Sequence, residues 1–370
     1  MGEPEDGRLG IDRRARAGAR WGLAALVLGT VACLAVAVSN DPNPPFIPPK
    51  GATTDVDVFR KVATRVGRGD SFYDATQQEF RAHGYPTRSV FNWRTPIYAW
   101  FLGRVTGFEC GRWLLMAGVL LVVLLASRDL VDDCGIVAGA GGVVSIVGAM
   151  AWCCGGNTVF FTELWSGMLI ALSVCALRRR WTAAGVVLGL TALFFRELAL
   201  PYVLVALALA VWEGRRREAV AWLVGLGLFL AFMTAHTAIV QSRVVAADTA
   251  LEGGWVRFGG LRFLLTATQV NVFLMPLWIS AFFLPVSCLG LARMVSNGGT
   301  GRLVGWTVAV YLAAFSVVGN PFNFYWGFTT APLLAMGVGY APGELRRLAR
   351  LACRRERPDK SALAPVVSPA

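Results

Sequence analysis

The sequence predicts an all-α polytopic membrane protein, with about ten transmembrane helices and a long structured first extracytoplasmic loop. Three observations carry that reading. Of 370 residues, 55% are hydrophobic and only 16% charged, against about 25% charged in a soluble domain. The apolar residues gather in long runs, near the ~20 residues that cross a bilayer as a helix. The 35 lysines and arginines that produce a net charge of +12 lie in short clusters between those runs. Such clusters mark the cytoplasmic ends of membrane helices. A nucleic-acid partner is therefore set aside, and the lipid bilayer is the first partner.

Residues 1–20 form a basic N-terminus, with five arginines from Arg8 to Arg20. The apolar run Trp21–Val38 follows. A cleaved signal peptide is the rival reading, because Ala35-Val36-Ala37 resembles a cleavage site, but the run is long for one. Either way the next segment, residues 40–109, goes outside. It opens on a proline-rich leader from Asp41 to Pro49, gives a helical-looking run to Gly69, and closes through Gly84-Tyr85-Pro86 and Phe91–Pro96. Thr95–Gly107 is apolar but short, as expected of a helix lying on the outer interface.

The membrane domain, residues 21–341, continues with apolar segments at Cys110–Ser127, Gly135–Cys154, Val159–Leu177, Thr182–Phe195, Leu198–Trp212, Val220–Val240, Val270–Leu291, Leu303–Val318 and Tyr325–Tyr340. If each crosses once, Arg178-Arg179-Arg180, Arg215-Arg216-Arg217, Arg293, Arg302 and the basic tail 342–370 share the side of the N-terminal arginines. That side is read as cytoplasmic, with both termini there and a bacterial inner membrane as the setting. The Pro-, Ser- and Ala-rich end of the tail is expected to be disordered.

Thr182–Trp212 breaks the pattern. Its ~31 residues make a helix of ~46 Å, too long for one ordinary span, while halves of ~15 residues rise only ~22 Å. Arginine triplets flank both ends, so both ends belong on one side. The consistent solution is a hairpin whose tip, Arg196-Glu197, stops within the membrane and opens to an outer recess.

On this topology the polar groups gather at one end. Asp55 and Asp57 lie in the first loop, Glu163 about one turn inside its helix, Arg196 and Glu197 at the hairpin tip. His236 and the turn Asn320–Trp326 lie on the same side. A carboxylate within a span is costly unless it faces water or a partner. Each has a plain structural alternative: Asp55 and Asp57 solvate a loop or cap a helix, Glu163 pairs with Arg196 as a structural bridge, and His236 is a satisfied helix-interface residue. Asp55-x-Asp57 is also a partial divalent-cation site, but two carboxylates alone do not complete one. None of the eight cysteines forms a CxxC pair and only two histidines occur, so neither a zinc site nor a disulfide framework is expected.

The first loop then shows a pattern: Asp55-x-x-x-Phe59, a helix containing Ala63, Gly69-Asp70-x-x-Tyr73-Asp74, and an element running from the aromatic Phe91 to Pro96 that leads into an apolar helix. It resembles the GT-C superfamily, integral-membrane glycosyltransferases that use polyprenyl-phosphate sugars, and most of all its bacterial mannosyl- and arabinofuranosyltransferases. The resemblance implies an essential acidic residue in the first outer loop, which falls on Asp55 with Asp57 as second candidate. It implies a polyprenyl-phosphate sugar donor, a glycan, lipid or protein acceptor, and no cofactor beyond a possible divalent cation. The family's Tyr-x-Pro-Pro element is replaced here by Asn92-Trp93-Arg94-Thr95-Pro96. Arg94, Glu163, Arg196, Glu197, Tyr73 and Asn92 are the expected substrate-binding residues. A polytopic transporter or flippase of a lipid-linked or polar substrate is the competing class, since charged residues inside spans mark substrate routes there too.

Overall fold

A computed structural model of the chain describes residues 5–39, 54–246, 248–250 and 256–353. The proline-rich leader and the end of the tail lie outside the described residues. Among the described residues all regular structure is helical. Helix α1 spans Glu5–Val38. The first loop carries α2 (Asp55–Gly67), α3 (Phe72–Ala82), α4 (Val90–Trp93) and α5 (Ile97–Trp100). Then come α6 (Gly107–Cys134), α7 (Ile136–Met150), α8 (Thr162–Arg178), α9 (Thr182–Phe195), α10 (Leu200–Trp212) and α11 (Arg216–Arg243). Helices α12 (Gly260–Thr268), α13 (Leu277–Asn297), α14 (Gly299–Val317) and α15 (Ala331–Ala352) complete the bundle.

Six helical segments are long and apolar enough to cross a membrane: Arg14–Val38, Val90–Cys134, Ile136–Cys154, Arg216–Arg243, Leu277–Asn297 and Gly299–Val317. The chain is thus an all-α polytopic membrane protein. Several expected boundaries move. Val270–Leu291 is not one helix, because the Asn271 side chain accepts from the Phe273 N–H (3.1 Å) and caps a short turn. Pro276, with no N–H to give, then opens α13. The last helix starts at Ala331 rather than Tyr325, after the helical turn Pro321–Thr329, and runs on past residue 342 to Ala352. Thr95–Gly107 is α5 continued by a widened helical turn over Phe101–Thr106; it ends at Gly107, where φ is 70°, and bends into α6.

The core is built around α8, in which every residue from Thr162 to Ala176 is buried. Helices α6, α9, α14 and α15 and the turn Pro321–Thr329 pack around it. The turn comes in close because residue 167 is glycine: a Cβ there would run into the Phe328 carbonyl oxygen. By contrast α1 is peripheral, lying against α13 and α15 with Trp21, Leu28 and Val38 left exposed.

Between α9 and α10 the chain breaks at Arg196, whose backbone is extended (φ −151°, ψ 118°), followed by one short turn over Glu197–Ala199. Pro201 explains why no continuous helix forms. Inside a helix from Thr182 to Trp212 it would remove a hydrogen bond and clash with the preceding turn, whereas at the second position of α10 it is tolerated. The two arms, 14 and 13 residues long, are each shorter than a ~30 Å hydrocarbon core requires.

The first loop folds onto this end of the bundle. Helix α2 lies close against the Phe101–Thr106 turn, where a Cβ on Gly67 would stand 2.6 Å from the Gly103 oxygen. Arg104 Nε donates to the Val66 carbonyl (3.0 Å), satisfying one of the last carbonyls of α2. Helix α3 docks on the C-terminal end of α11. There Tyr73 meets His236 (3.1 Å), Gln77 donates to the Arg243 carbonyl (2.8 Å), and Arg243 pairs with Asp74.

Candidate functional site: a buried ionic chain at the N-terminal end of α8

Four charged side chains from three separate stretches of the sequence meet at the start of α8. Glu163 is the second residue of the helix, where a carboxylate is favoured by the helix dipole. Its side chain has no exposure. One oxygen, Oε2, lies 3.5 Å from Arg94 Nη1 and accepts from the Thr162 hydroxyl at 3.3 Å. The other, Oε1, stands 2.9 Å from Arg196 Nε, an ion pair without hydrogen-bond alignment. Arg196 Nη1 in turn donates to Glu197 Oε1 at 2.6 Å. The signs alternate along Arg94, Glu163, Arg196 and Glu197. Alternation is what allows four charges to be buried together, because each desolvated ion has an opposite neighbour.

Each member is held in place by its local sequence. Arg94 follows a loop closed by two braces: Asn92 Nδ2 donates to the Pro86 carbonyl (2.7 Å) and buried Trp93 Nε1 to the Thr87 carbonyl (2.8 Å). These braces hold Arg94 at φ 55°, ψ 174°, a region essentially reserved for glycine and worth ~1–3 kcal/mol of strain. The next residue, Thr95, donates its hydroxyl to the Phe194 carbonyl (2.9 Å) at the end of α9, which ties the loop to the hairpin tip. The Tyr311 hydroxyl fixes that tip from α14 by donating to the Leu198 carbonyl at 2.5 Å. The Arg94 guanidinium lies 3.9 Å over the Phe59 ring and 6.0 Å from that of Tyr325; such contacts compensate a desolvated cation.

The two aspartates separate. The sequence suggests an extended Asp55-x-Asp57 with Asp57 as the N-cap of a helix from Val58; instead Asp55 is the first residue of α2 and the N-cap is Thr54. Residues two apart on a helix point to different faces, so the two carboxylates do not leave from one side. Asp57 completes a capping box: it accepts from the Thr54 N–H (3.0 Å) and hydroxyl (2.7 Å). Those two bonds hold its carboxyl below the usual range. Beyond the cap, Asp57 borders an open surface hollow of about 490 Å³ with Arg60, Lys61 and Arg68.

Asp55 and Phe59 are four apart and share a face of α2. Because Arg94 lies over Phe59, Asp55 sits one turn along from the ionic chain, and Arg94 and Tyr325 both lie within its electrostatic range. Asp55 Oδ1 accepts from the Tyr85 hydroxyl. Burial, and next the Asp55 charge, push the Tyr85 pKa up, so Tyr85 keeps its proton and donates.

Of the residues expected from sequence, Asp55, Arg94, Glu163, Arg196 and Glu197 come together. Asp57 belongs to the helix cap, Asn92 spends its amide on the loop, and Tyr73 on the docking of α3 against His236. Sequence reasoning missed Tyr85, Thr162 and Phe59 as parts of the site. Only the four-residue spacing of Asp55 and Phe59 was a usable signal. It also missed Asp248, which receives both Arg81 Nε and Nη2 at 3.0 Å and fastens the first loop to the segment after α11. Among the described residues no three His, Cys, Asp or Glu side chains gather as metal ligands. No family model, curated protein or solved structure matches this chain.

Proposed function

We propose that the chain is a GT-C-type membrane glycosyltransferase. It moves a sugar from a polyprenyl-phosphate donor to an acceptor hydroxyl on the extracytoplasmic side, with inversion. The observation that carries this reading is a carboxylate, Asp55, one turn of α2 from Phe59, over whose ring lies the buried, strained guanidinium of Arg94. Together these are a base and an anion stabiliser. On this reading the helices make about ten crossings of a bacterial inner membrane, with both termini cytoplasmic and the α2–α3 loop outside.

In the reaction the acceptor oxygen attacks the anomeric carbon and its proton passes to Asp55 as general base. The bond from that carbon to the phosphate oxygen breaks, and the electron pair leaves with the polyprenyl phosphate. Arg94 and Arg196 stabilise the charge that develops there, in surroundings where water is scarce. The Tyr85 hydroxyl aims the Asp55 carboxylate, leaving its second oxygen for the acceptor.

The test is sugar transfer from labelled polyprenyl-phosphate sugars by the purified chain. Asp55→Asn keeps a hydrogen bond to Tyr85 but removes the base, and transfer should fall ~10²–10⁴-fold with the fold retained. Full transfer by Asp55→Asn sinks the assignment. The buried charges also suit a transporter of a lipid-linked substrate; substrate accumulation in proteoliposomes without any transfer would favour that class.

A further inference from the structure

The charges of Arg94, Glu163, Arg196 and Glu197 sum to zero, so the chain has no spare guanidinium for a phosphate. A phosphate arriving here adds negative charge to a buried, already balanced cluster, which is costly unless a carboxylate leaves. The two glutamates differ as candidates. Glu163 is fully buried, touches both guanidiniums and receives Thr162. Glu197 is 17% exposed and holds Arg196 through one oxygen, while its other oxygen, Oε2, is buried with no donor. It also stands in the short turn between α9 and α10, where a side chain can rotate without disturbing a helix. The backbone of that turn is pinned by Tyr311, so exchange is a side-chain event.

We propose that Glu197 is an exchangeable counter-ion: its carboxylate occupies on Arg196 the place that the phosphate of a polyprenyl-phosphate ligand takes. This rests on the glycosyltransferase reading. Carboxylate and phosphate oxygens accept from a guanidinium in the same way, so one replaces the other without reshaping the site. The exchange keeps Arg196 paired when no donor is bound. It also raises the threshold for weak anions, because a ligand has to supply prenyl-chain binding energy as well as its phosphate to displace Glu197.

The experiment titrates the purified full-length chain in detergent with geranyl phosphate, a short prenyl monophosphate, and separately with inorganic phosphate. Glu197→Gln should bind geranyl phosphate about tenfold more tightly than the wild type, the scale of one charge-assisted hydrogen bond relieved of competition. Glu197→Asp keeps the charge on a shorter arm and should fall between. Arg196→Gln should lose binding. In turnover, the KM for the donor should drop in Glu197→Gln, an effect that a merely structural role for Glu197 does not produce. If both Glu197 variants bind geranyl phosphate no better than the wild type, the carboxylate positions Arg196 instead and the proposal falls. Tightening for inorganic phosphate alone would also overturn it, by marking a site for free anions. Failure of the wild type to bind geranyl phosphate would sink the glycosyltransferase reading itself.

Discussion

Helix α8 carries ion pairs at both ends, and the two sets are built differently. At its N-terminal end Arg94, Glu163 and Arg196 are at most 5% exposed and strung in one alternating chain. At its C-terminal end Arg178 and Arg179 pair with Asp129 and Asp133 of α6 at 2.8–3.2 Å, with side-chain exposures of 18–34%. The second set is what a membrane helix ordinarily shows where it leaves the apolar layer. Its pairs are screened and contribute little. The first set is expensive to desolvate and stabilises the fold no better than apolar side chains of the same volume. On the glycosyltransferase reading proposed above, that cost, with Arg94 in a strained backbone beside it, is what keeps two guanidiniums ready for the leaving phosphate.

The comparison breaks most visibly at Glu163. Glu163→Ala leaves Arg94 buried without its carboxylate, and removing one partner of a buried pair costs ~3–5 kcal/mol. Thermal unfolding in detergent should show a large loss, and sugar transfer should vanish. The multiple variant Glu163→Leu, Arg94→Met, Arg196→Met should regain much of that stability without regaining transfer. A single Glu163→Ala variant as stable as the wild type would show that the chain is not a buried network.

At the opposite end the expected effect is far smaller. Arg178→Gln removes the pairs to Asp129 and Asp133, yet pairs that keep this much contact with solvent are worth about 0–1 kcal/mol. Unfolding should shift slightly and transfer should persist. A loss comparable to that of Glu163→Ala would erase the distinction between the two ends.

How far this contrast was legible in the sequence follows from its physics. Arginine triplets between apolar runs are local signals, so the basic end of the bundle could be read directly. The hairpin tip could be read as well, because helix length against bilayer thickness is a one-dimensional argument. Pro201 was the stronger local cue for the break. The Asp55–Phe59 spacing located one face of α2, but an N-cap at Asp57, with the helix beginning near Val58, starts it three residues too late, because Thr54 outcompeted Asp57 as N-cap. Tyr85, Thr162 and Asp248 were not legible, since each acts on a residue remote in sequence: Tyr85 on Asp55, Thr162 on Arg94, whose Nη1 donates to its hydroxyl at 3.0 Å, and Asp248 on Arg81. Tyr73 and Asn92 were in the right motifs and in the wrong role, spent on docking and loop closure.

The smallest effect expected is local and pH-dependent, and it concerns the clasp that holds the first loop over the site. Arg81 grips both oxygens of Asp248, and the Val245 N–H adds a third bond at 2.8 Å. Led by the bond from Arg81, these hold the Asp248 pKa at about 2, against an ordinary value of about 3.9. A carboxylate whose pKa is depressed by folding contributes stability that is fully present above its unfolded value and lost as pH falls through its folded value. The clasp should therefore be intact at neutral pH and loosen between about pH 4 and pH 2. Asp74, lowered by Arg243, and Asp57, lowered by Thr54, titrate in the same direction within the loop. Asp248→Asn should thus flatten the transition rather than remove it. The readout is amide exchange in α3, compared with exchange in α8. Protection of α3 should fall with acid while α8 stays protected, because the clasp closes the loop and does not hold the bundle. Acid loss of protection in α8 together with α3 would show that loop and bundle unfold as one unit, and Asp248 would then be part of the core rather than its fastening.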